Sequence, residues 1–211
     1  MLKKLLIITL ILISGLSPAL VAGATVTDKT QSQLAVTATT DWPMAGANPA
    51  RTSRNEAVVN PEALSPAWST VIAPHILNKT QVIAANDTLY ISTAKGLYGL
   101  YANTGAQKWF YPTSMPLGNS PTVYKGVAYV GGFDNQLHAI NALTGAGIWK
   151  FMAGAGFDTN PLVLTIGTRD IVYAGNRDGY MYAVYADTGT QAWRYKTGGP
   201  IHFSAAYQAP N

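Results

Sequence analysis

Between Pro121 and Phe151 short apolar runs alternate with turn-forming residues. Pro121 to Lys125, Val127 to Gly131, Gln136 to Ala142 and Ile148 to Phe151 read as four strands. They are rich in β-branched and aromatic residues, which fit a pleated surface. Phe133 to Asn135 and Thr144-Gly145 read as turns, as do Asp178-Gly179 and Lys95-Gly96 in neighbouring stretches. Asn and Gly at these places tolerate the positive φ that a two-residue hairpin needs. In the run Leu97 to Ala102, alternate residues point to opposite faces. Tyr98, Leu100 and Ala102 form one set; Leu97, Gly99 and Tyr101 form the other. Both sets hold apolar groups, so the sheet is predicted to be covered on both faces.

The pattern recurs. Thr104-Gly105 precedes Trp109, Thr144-Gly145 precedes Trp149 and Thr188-Gly189 precedes Trp193 at one fixed spacing. With Trp68, the tryptophans stand 41, 40 and 44 residues apart. Tyr90, Tyr129 and Tyr173 repeat, as do Val82, Val123, Val163 and Tyr207, each 14 residues after a tryptophan. Ser120-Pro121 and Asn160-Pro161 repeat as well. A period near forty with β-rich content is the signature of propeller blades with four strands each. The expected fold is therefore all-β, a partial β-propeller of about three complete blades, at about 71–111, 112–152 and 156–197. Trp68 would end an orphan outer strand, and Ile201 to Tyr207 would form the inner strand of a further blade. Each tryptophan is expected in a seam between blades. The small residues Gly99, Ala139 and Ala183 are expected where the next blade approaches closely.

These repeats resemble the PQQ-like (quinoprotein-type) propeller blade, whose pattern runs L-Y-A-L-D-A-x-T-G-x-x-x-W. The stretch Asp41-Trp42-Pro43 through Pro49-Ala50-Arg51-Thr52 resembles the opening of such proteins, D-W-P-x-x-x-x-x-P-x-R-T. The resemblance spans residues 41–211. It implies one of two branches: PQQ-dependent alcohol and glucose dehydrogenases, or non-catalytic BamB-like propellers of the outer-membrane barrel assembly machinery. Family members commonly carry eight blades, so three units imply an incomplete propeller, a fragment with two open blade faces. Such apolar faces favour self-association and make the isolated chain unstable.

The N-terminus adds a compartment. Lys3-Lys4, an apolar run from Leu5 to Ile13 and Ala22-Gly23-Ala24 form a signal peptide, residues 1–24, cleaved after Ala24. An uncleaved membrane anchor is the rival reading, and the run is short for one. Residues 25–40, rich in Thr, Ser, Gln and Ala, read as a flexible linker. The expected location is exported, periplasmic or extracellular. The chain holds no Cys, which excludes disulfides and a lipidated cleavage point. The net charge of +4 falls to +2 without Lys3 and Lys4, and no basic cluster marks a nucleic-acid partner.

Candidate chemistry is sparse. Only Glu56 and Glu62 represent glutamate, and no Glu–Asn–Asp set matches the calcium ligands of the dehydrogenase branch. No catalytic or metal-ligating residue is assigned. PQQ and calcium enter only under the dehydrogenase alternative. His75, His138 and His202 show no metal-ligand spacing. His138 replaces a repeated Tyr, and His202 is a candidate for lining a central channel. Asp134, Asp178 and Asp187 read as turn residues, and the Thr–Gly–Trp set reads as structural. Asn78-Lys79-Thr80 and Asn86-Asp87-Thr88 fit the glycosylation sequon. The leading expectation is a non-catalytic binding or assembly scaffold with a protein partner. The alternative is the N-terminal part of a PQQ-dependent oxidoreductase.

Overall fold

A computed structural model describes residues 41–54 and 65–209. The signal peptide, its cleavage site and the linker at 25–40 lie outside the described residues. No helix among those described is long and apolar enough to cross a membrane.

Three four-stranded antiparallel sheets follow one another along the chain. The first holds β1 (Ile83–Ala85), β2 (Thr88–Thr93), β3 (Gly96–Tyr101) and β4 (Gln107–Pro112). The second holds β5 (Thr122–Tyr124), β6 (Val127–Gly131), β7 (Gln136–Asn141) and β8 (Gly147–Met152). The third holds β9 (Leu162–Ile166), β10 (Arg169–Gly175), β11 (Tyr180–Tyr185) and β12 (Gln191–Lys196). In each sheet the strands pair in chain order. The short first strands touch one another from sheet to sheet, β1 with β5 and β5 with β9. The sheets thus meet along their first strands, as propeller blades do around an axis.

The core lies between blades rather than within one. One cluster joins Ile83, Tyr90, Leu97 and Trp109 of the first blade to Val123, Ala128, Val130 and Ile140 of the second. The other joins Tyr129, Leu137 and Ala139 of the second blade to Val163, Val172, Tyr182 and Val184 of the third. Ala128 and Val130 face one seam while Tyr129 between them faces the other. The two-sided apolar pattern of the strands has this cause.

Turn chemistry differs in one respect from the two-residue hairpins expected at Asp134-Asn135 and Asp178-Gly179. These links run through residues 132–135 and 176–179, and only Asn135 (φ 65°) and Gly179 (φ 82°) in the two pairs are left-handed. The aspartates act through their carboxylates: Asp134 Oδ1 accepts from Gln136 N at 3.2 Å and Asp178 Oδ1 from Tyr180 N at 3.0 Å. The two-residue type I′ geometry occurs at Asn86 (φ 51°) and Asp87 (φ 55°), between β1 and β2.

Three further expectations are corrected. Trp68 and Ile201 to Tyr207 lie in extended segments outside any ladder, because no strand stands beside them among the described residues. Val82 is not the equivalent of Val123. Ile83 pairs with Tyr90 as Thr122 pairs with Tyr129, so Ala84 takes that place and Val82 is half exposed. Gly99 makes room for its own blade's tryptophan rather than for the next blade. A Cβ there would come within 2.3 Å of the Trp109 ring, its cross-strand partner.

Candidate binding surface

The repeated residues converge at the seams. Trp109 Nε1 donates to the Ala142 carbonyl of the next blade at 3.2 Å, and Tyr90 Oη donates to the same oxygen at 3.3 Å. One seam on, Trp149 Nε1 and Tyr129 Oη share the Ala186 carbonyl at 2.9 and 3.4 Å. In both pairs the tyrosine and tryptophan rings lie 5.8 Å apart. Each indole rests on the Thr-Gly turn of the following blade: a Cβ at Gly145 would be 2.7 Å from Trp109, and one at Gly189 would be 2.6 Å from Trp149. Gly105, Gly145 and Gly189 all have φ near 70°, and each turns the chain by donating its N–H four residues back. A β-bulge in β4, β8 and β12, at the residue just before the tryptophan (Lys108, Ile148 and Ala192), recurs in all three blades. Burial pushes the Tyr129 hydroxyl up to about 12, with the charges of Asp170, Tyr124 and Asp187 adding to it.

Trp68 fills the equivalent place on the first blade. Its Nε1 donates to the Ala102 carbonyl at 3.0 Å and its ring covers Gly105. At the third blade the series ends. Tyr173 and Trp193 keep the 5.8 Å ring spacing, yet neither finds an acceptor among the described residues, and Trp193 is 44% exposed.

The stretch from Asp41 to Ser53 forms a strap over the first strands. Trp42 bridges to Ala84 in an antiparallel pair, and the Pro43 carbonyl accepts from Val123 N at 2.7 Å. Arg51 donates to three main-chain carbonyls: Ala45 at 2.6 Å, Asn160 at 3.3 Å and Ala205 at 2.7 Å. The strap therefore touches all three blades and the segment that follows them. Burial lowers the guanidinium's pKa. Beneath the strap the blades are linked in series. Gln81 N donates to Ser120 Oγ at 2.7 Å, Ser120 N to Asn160 Oδ1 at 2.9 Å, and Asn160 N to Ser204 Oγ at 2.8 Å.

Beside this series opens a polar cleft of about 420 Å³ lined by Asn78, Lys79, Asn119, Asn160, His202 and Phe203, among others. His202 lies here rather than on a strand, with Nδ1 3.0 Å from Asp158 Oδ2. Phe203 stands 84% exposed at its rim, with Lys79 Nζ 6.0 Å from the ring centre. His75 is exposed and apart from this cleft. His138 is fully buried: Nε2 lies 3.1 Å from Asp134 and Nδ1 3.2 Å from the Tyr111 hydroxyl of the first blade. Burial lowers its pKa, against the attraction of Asp134. In the third blade Tyr182 takes its place and donates directly to Asp178 at 2.6 Å.

The carboxylates are engaged elsewhere than in a shared site. Asp134 meets His138, Asp158 meets His202, Asp170 meets Lys125, Asp178 meets Tyr182 and Asp187 meets Arg169. Among the described residues no three His, Cys, Asp or Glu side chains converge as ligands. The sequons at Asn78 and Asn86 fall on exposed turns.

Comparison with known proteins accords with this architecture. A europium-containing methanol dehydrogenase shares 21% identity, with a TM-score of 0.63, over 76% of this chain and 32% of its own. A quinohemoprotein alcohol dehydrogenase from Pseudomonas putida HK5 shares 20%, with a TM-score of 0.61, over 74% of this chain and 26% of its own. BamB from Moraxella catarrhalis shares 22%, with a TM-score of 0.52, over 62% and 39%. This chain therefore spans well under half the length of these proteins, and the likeness shows a common fold. No curated protein matches it. The family model described as outer membrane protein assembly factor BamB matches residues 50–205, most of the chain. With its blades, seams and strap in place, the chain belongs to that PQQ-like β-propeller repeat family.

Proposed function

We propose that this protein is an exported scaffold, periplasmic or extracellular, that binds another protein without catalysing a reaction. The observation that carries the reading is the use made of the repeated polar groups. The seam tryptophans and tyrosines, the Thr-Gly turns and the inner Gln–Ser–Asn series bond to neighbouring blades. That leaves loops on a rigid frame as the surface for a partner. The family's description, an outer membrane protein assembly factor, supports the same reading. The cleft with Phe203 is where the partner is expected. An exposed aromatic ringed by amides and a lysine suits a protein interface, where aromatic anchors carry much of the binding energy.

The test is capture of an envelope protein by the exported chain, followed by crosslinking at the cleft. Phe203→Ala is expected to weaken capture by roughly 30-fold, the effect of losing one anchor of about 2 kcal/mol. Stoichiometric binding of PQQ, or dye-linked alcohol oxidation with added Ca²⁺, would overturn the reading in favour of the dehydrogenase alternative.

A further inference from the structure

The third blade departs from the repeat in one place. Trp193 follows Trp149 by 44 residues, where the two earlier intervals are 41 and 40. The first hairpin of the blade accounts for the difference. β1 with β2 and β5 with β6 close their turns over three residue pairs. β9 with β10 runs on for two more, Thr165 with Asp170 and Ile166 with Arg169. At about 3.4 Å per residue, the extra pairs lengthen the hairpin by about 7 Å. Insertions into repeat architectures map to loops on one face, often the binding face.

The added length forms a wall beside the seam of the second and third blades. Asp170 ties it to the second blade. Lys125 Nζ donates to its two oxygens at 3.1 and 2.8 Å, and Tyr124 Oη donates at 3.2 Å. Thr165 Oγ1 of the same hairpin donates at 2.7 Å. Behind the wall opens a pocket of about 330 Å³, lined by Tyr124, Lys125, Tyr129, Arg169, Asp170 and Asp187 among others. That volume is at the small end of ligand-binding clefts, which span roughly 300–1,000 Å³. All of its walls belong to the second and third blades, whose shared seam is closed by Trp149 and Tyr129 on the Ala186 carbonyl.

The matching place at the seam of the first and second blades shows which groups a seam does not require. Its pocket of about 280 Å³ is lined by Asn86, Lys108, Gly126 and Leu143 among others. Gly126 precedes Tyr129 as Asp170 precedes Tyr173, and Leu143 follows Ala142 as Asp187 follows Ala186. Both seams make the same tyrosine and tryptophan bonds, so those bonds need neither aspartate.

The two ion pairs of the larger pocket are unlike. Lys125 and Asp170 are held within a set of four donor contacts. Arg169 Nη2 donates to the Asp187 oxygens at 3.2 and 3.4 Å, and the two side chains are 47% and 65% exposed. An exposed pair of this kind adds little stability and opens at little cost. Its opening leaves the guanidinium in place, because Arg169 lies 3.7 Å over the Tyr185 ring. On the floor the Tyr129 hydroxyl makes one long bond of 3.4 Å and has lone pairs to offer. A ligand with both charges replaces the Arg169–Asp187 pair and leaves neither member unpaired. A ligand of one charge strands the other member.

We infer that this pocket binds a small zwitterion of the amino-acid class, its carboxylate on Arg169 and its ammonium on Asp187. Lys125 with Asp170 is the frame that fixes the wall, and Arg169 with Asp187 is the clasp that the ligand opens. The site is separate from the cleft at Phe203 and does not depend on a protein partner.

Calorimetric titration of the full chain with L-alanine tests it, beside L-alaninamide, which lacks the carboxylate, and N-acetyl-L-alanine, which lacks the ammonium. Saturable binding of L-alanine in the millimolar range is expected. Each analogue should bind about tenfold more weakly, the effect of losing one charge-assisted contact. Arg169→Met and Asp187→Asn should each weaken L-alanine binding by about tenfold, with the urea midpoint unchanged because both side chains are exposed. Absence of saturable L-alanine binding would overturn the inference. So would analogues that bind as tightly as L-alanine, or an affinity unchanged in both variants.

Discussion

At the scale of single residues, one side-chain type performs different work according to what stands next to it. Trp109 is buried between two blades, with its N–H bonded; Trp193 has the same local sequence and no second blade among the described residues. Trp109→Ala should therefore cost about 3–5 kcal/mol in stability, as large core truncations do. Trp193→Ala should cost well under half of that, and urea titration of the two variants measures the difference. His138 makes a pH prediction. Its pKa lies below the usual 6.5 in the folded chain, because burial outweighs Asp134, and Lys150 acts in the same direction as burial. The unfolded chain thus takes up a proton first as pH falls. Stability should decline from about pH 6.5 downward and level off once the folded form is protonated too. His138→Tyr offers Asp134 the hydroxyl that Tyr182 gives Asp178, so its urea midpoint should lose this decline.

The element whose role was least visible in the sequence is the strap. Its motif was recognisable at Asp41-Trp42-Pro43 and Pro49-Ala50-Arg51-Thr52, yet a motif states nothing about partners 109 and 154 residues away. Arg51 reaches those partners through carbonyls, which every residue carries, so no matching side chain marks them. The strands of the second blade, in contrast, were legible within a residue or so, because two-sided apolar alternation and turn pairs are local signals. The inner series was half legible: Ser120-Pro121 and Asn160-Pro161 stood out, but Gln81 was hidden by the misplaced equivalence of Val82 with Val123. His202 and Asp158, brought together at the cleft, are 44 residues apart and carry no shared pattern. Arg51→Met keeps the stem and removes the donors. It should destabilise the chain by about 2 kcal/mol, within the range for hydrogen bonds to charged groups. Hydrogen exchange at Trp42 and Ala84 should quicken in that variant, reporting a loosened strap.

For the whole molecule, repetition made the fold readable while function stayed outside the repeat. The blade motif prescribes seams, and the seams account for nearly all of its side chains. What distinguishes this chain lies where the repeat lapses: the cleft at Phe203, the histidine at position 138, and the uneven ends of the tryptophan series. Stability should accordingly depend on whether the third blade's face is covered. Propeller and repeat units draw much of their stability from nearest-neighbour contacts.

The inner series has a direction: every donor is made before the group that accepts from it. Gln81 waits for Ser120, Ser120 for Asn160, and Asn160 for Ser204, each amide some forty residues ahead of the oxygen that will accept it. Trp109 and Trp149 wait in the same sense for Ala142 and Ala186. A newly synthesised blade is thus unfinished until its successor emerges, with an unquenched indole and amide facing solvent or a chaperone. Each blade is thus completed only as later blades arrive, and the wiring of the seams builds in that delay.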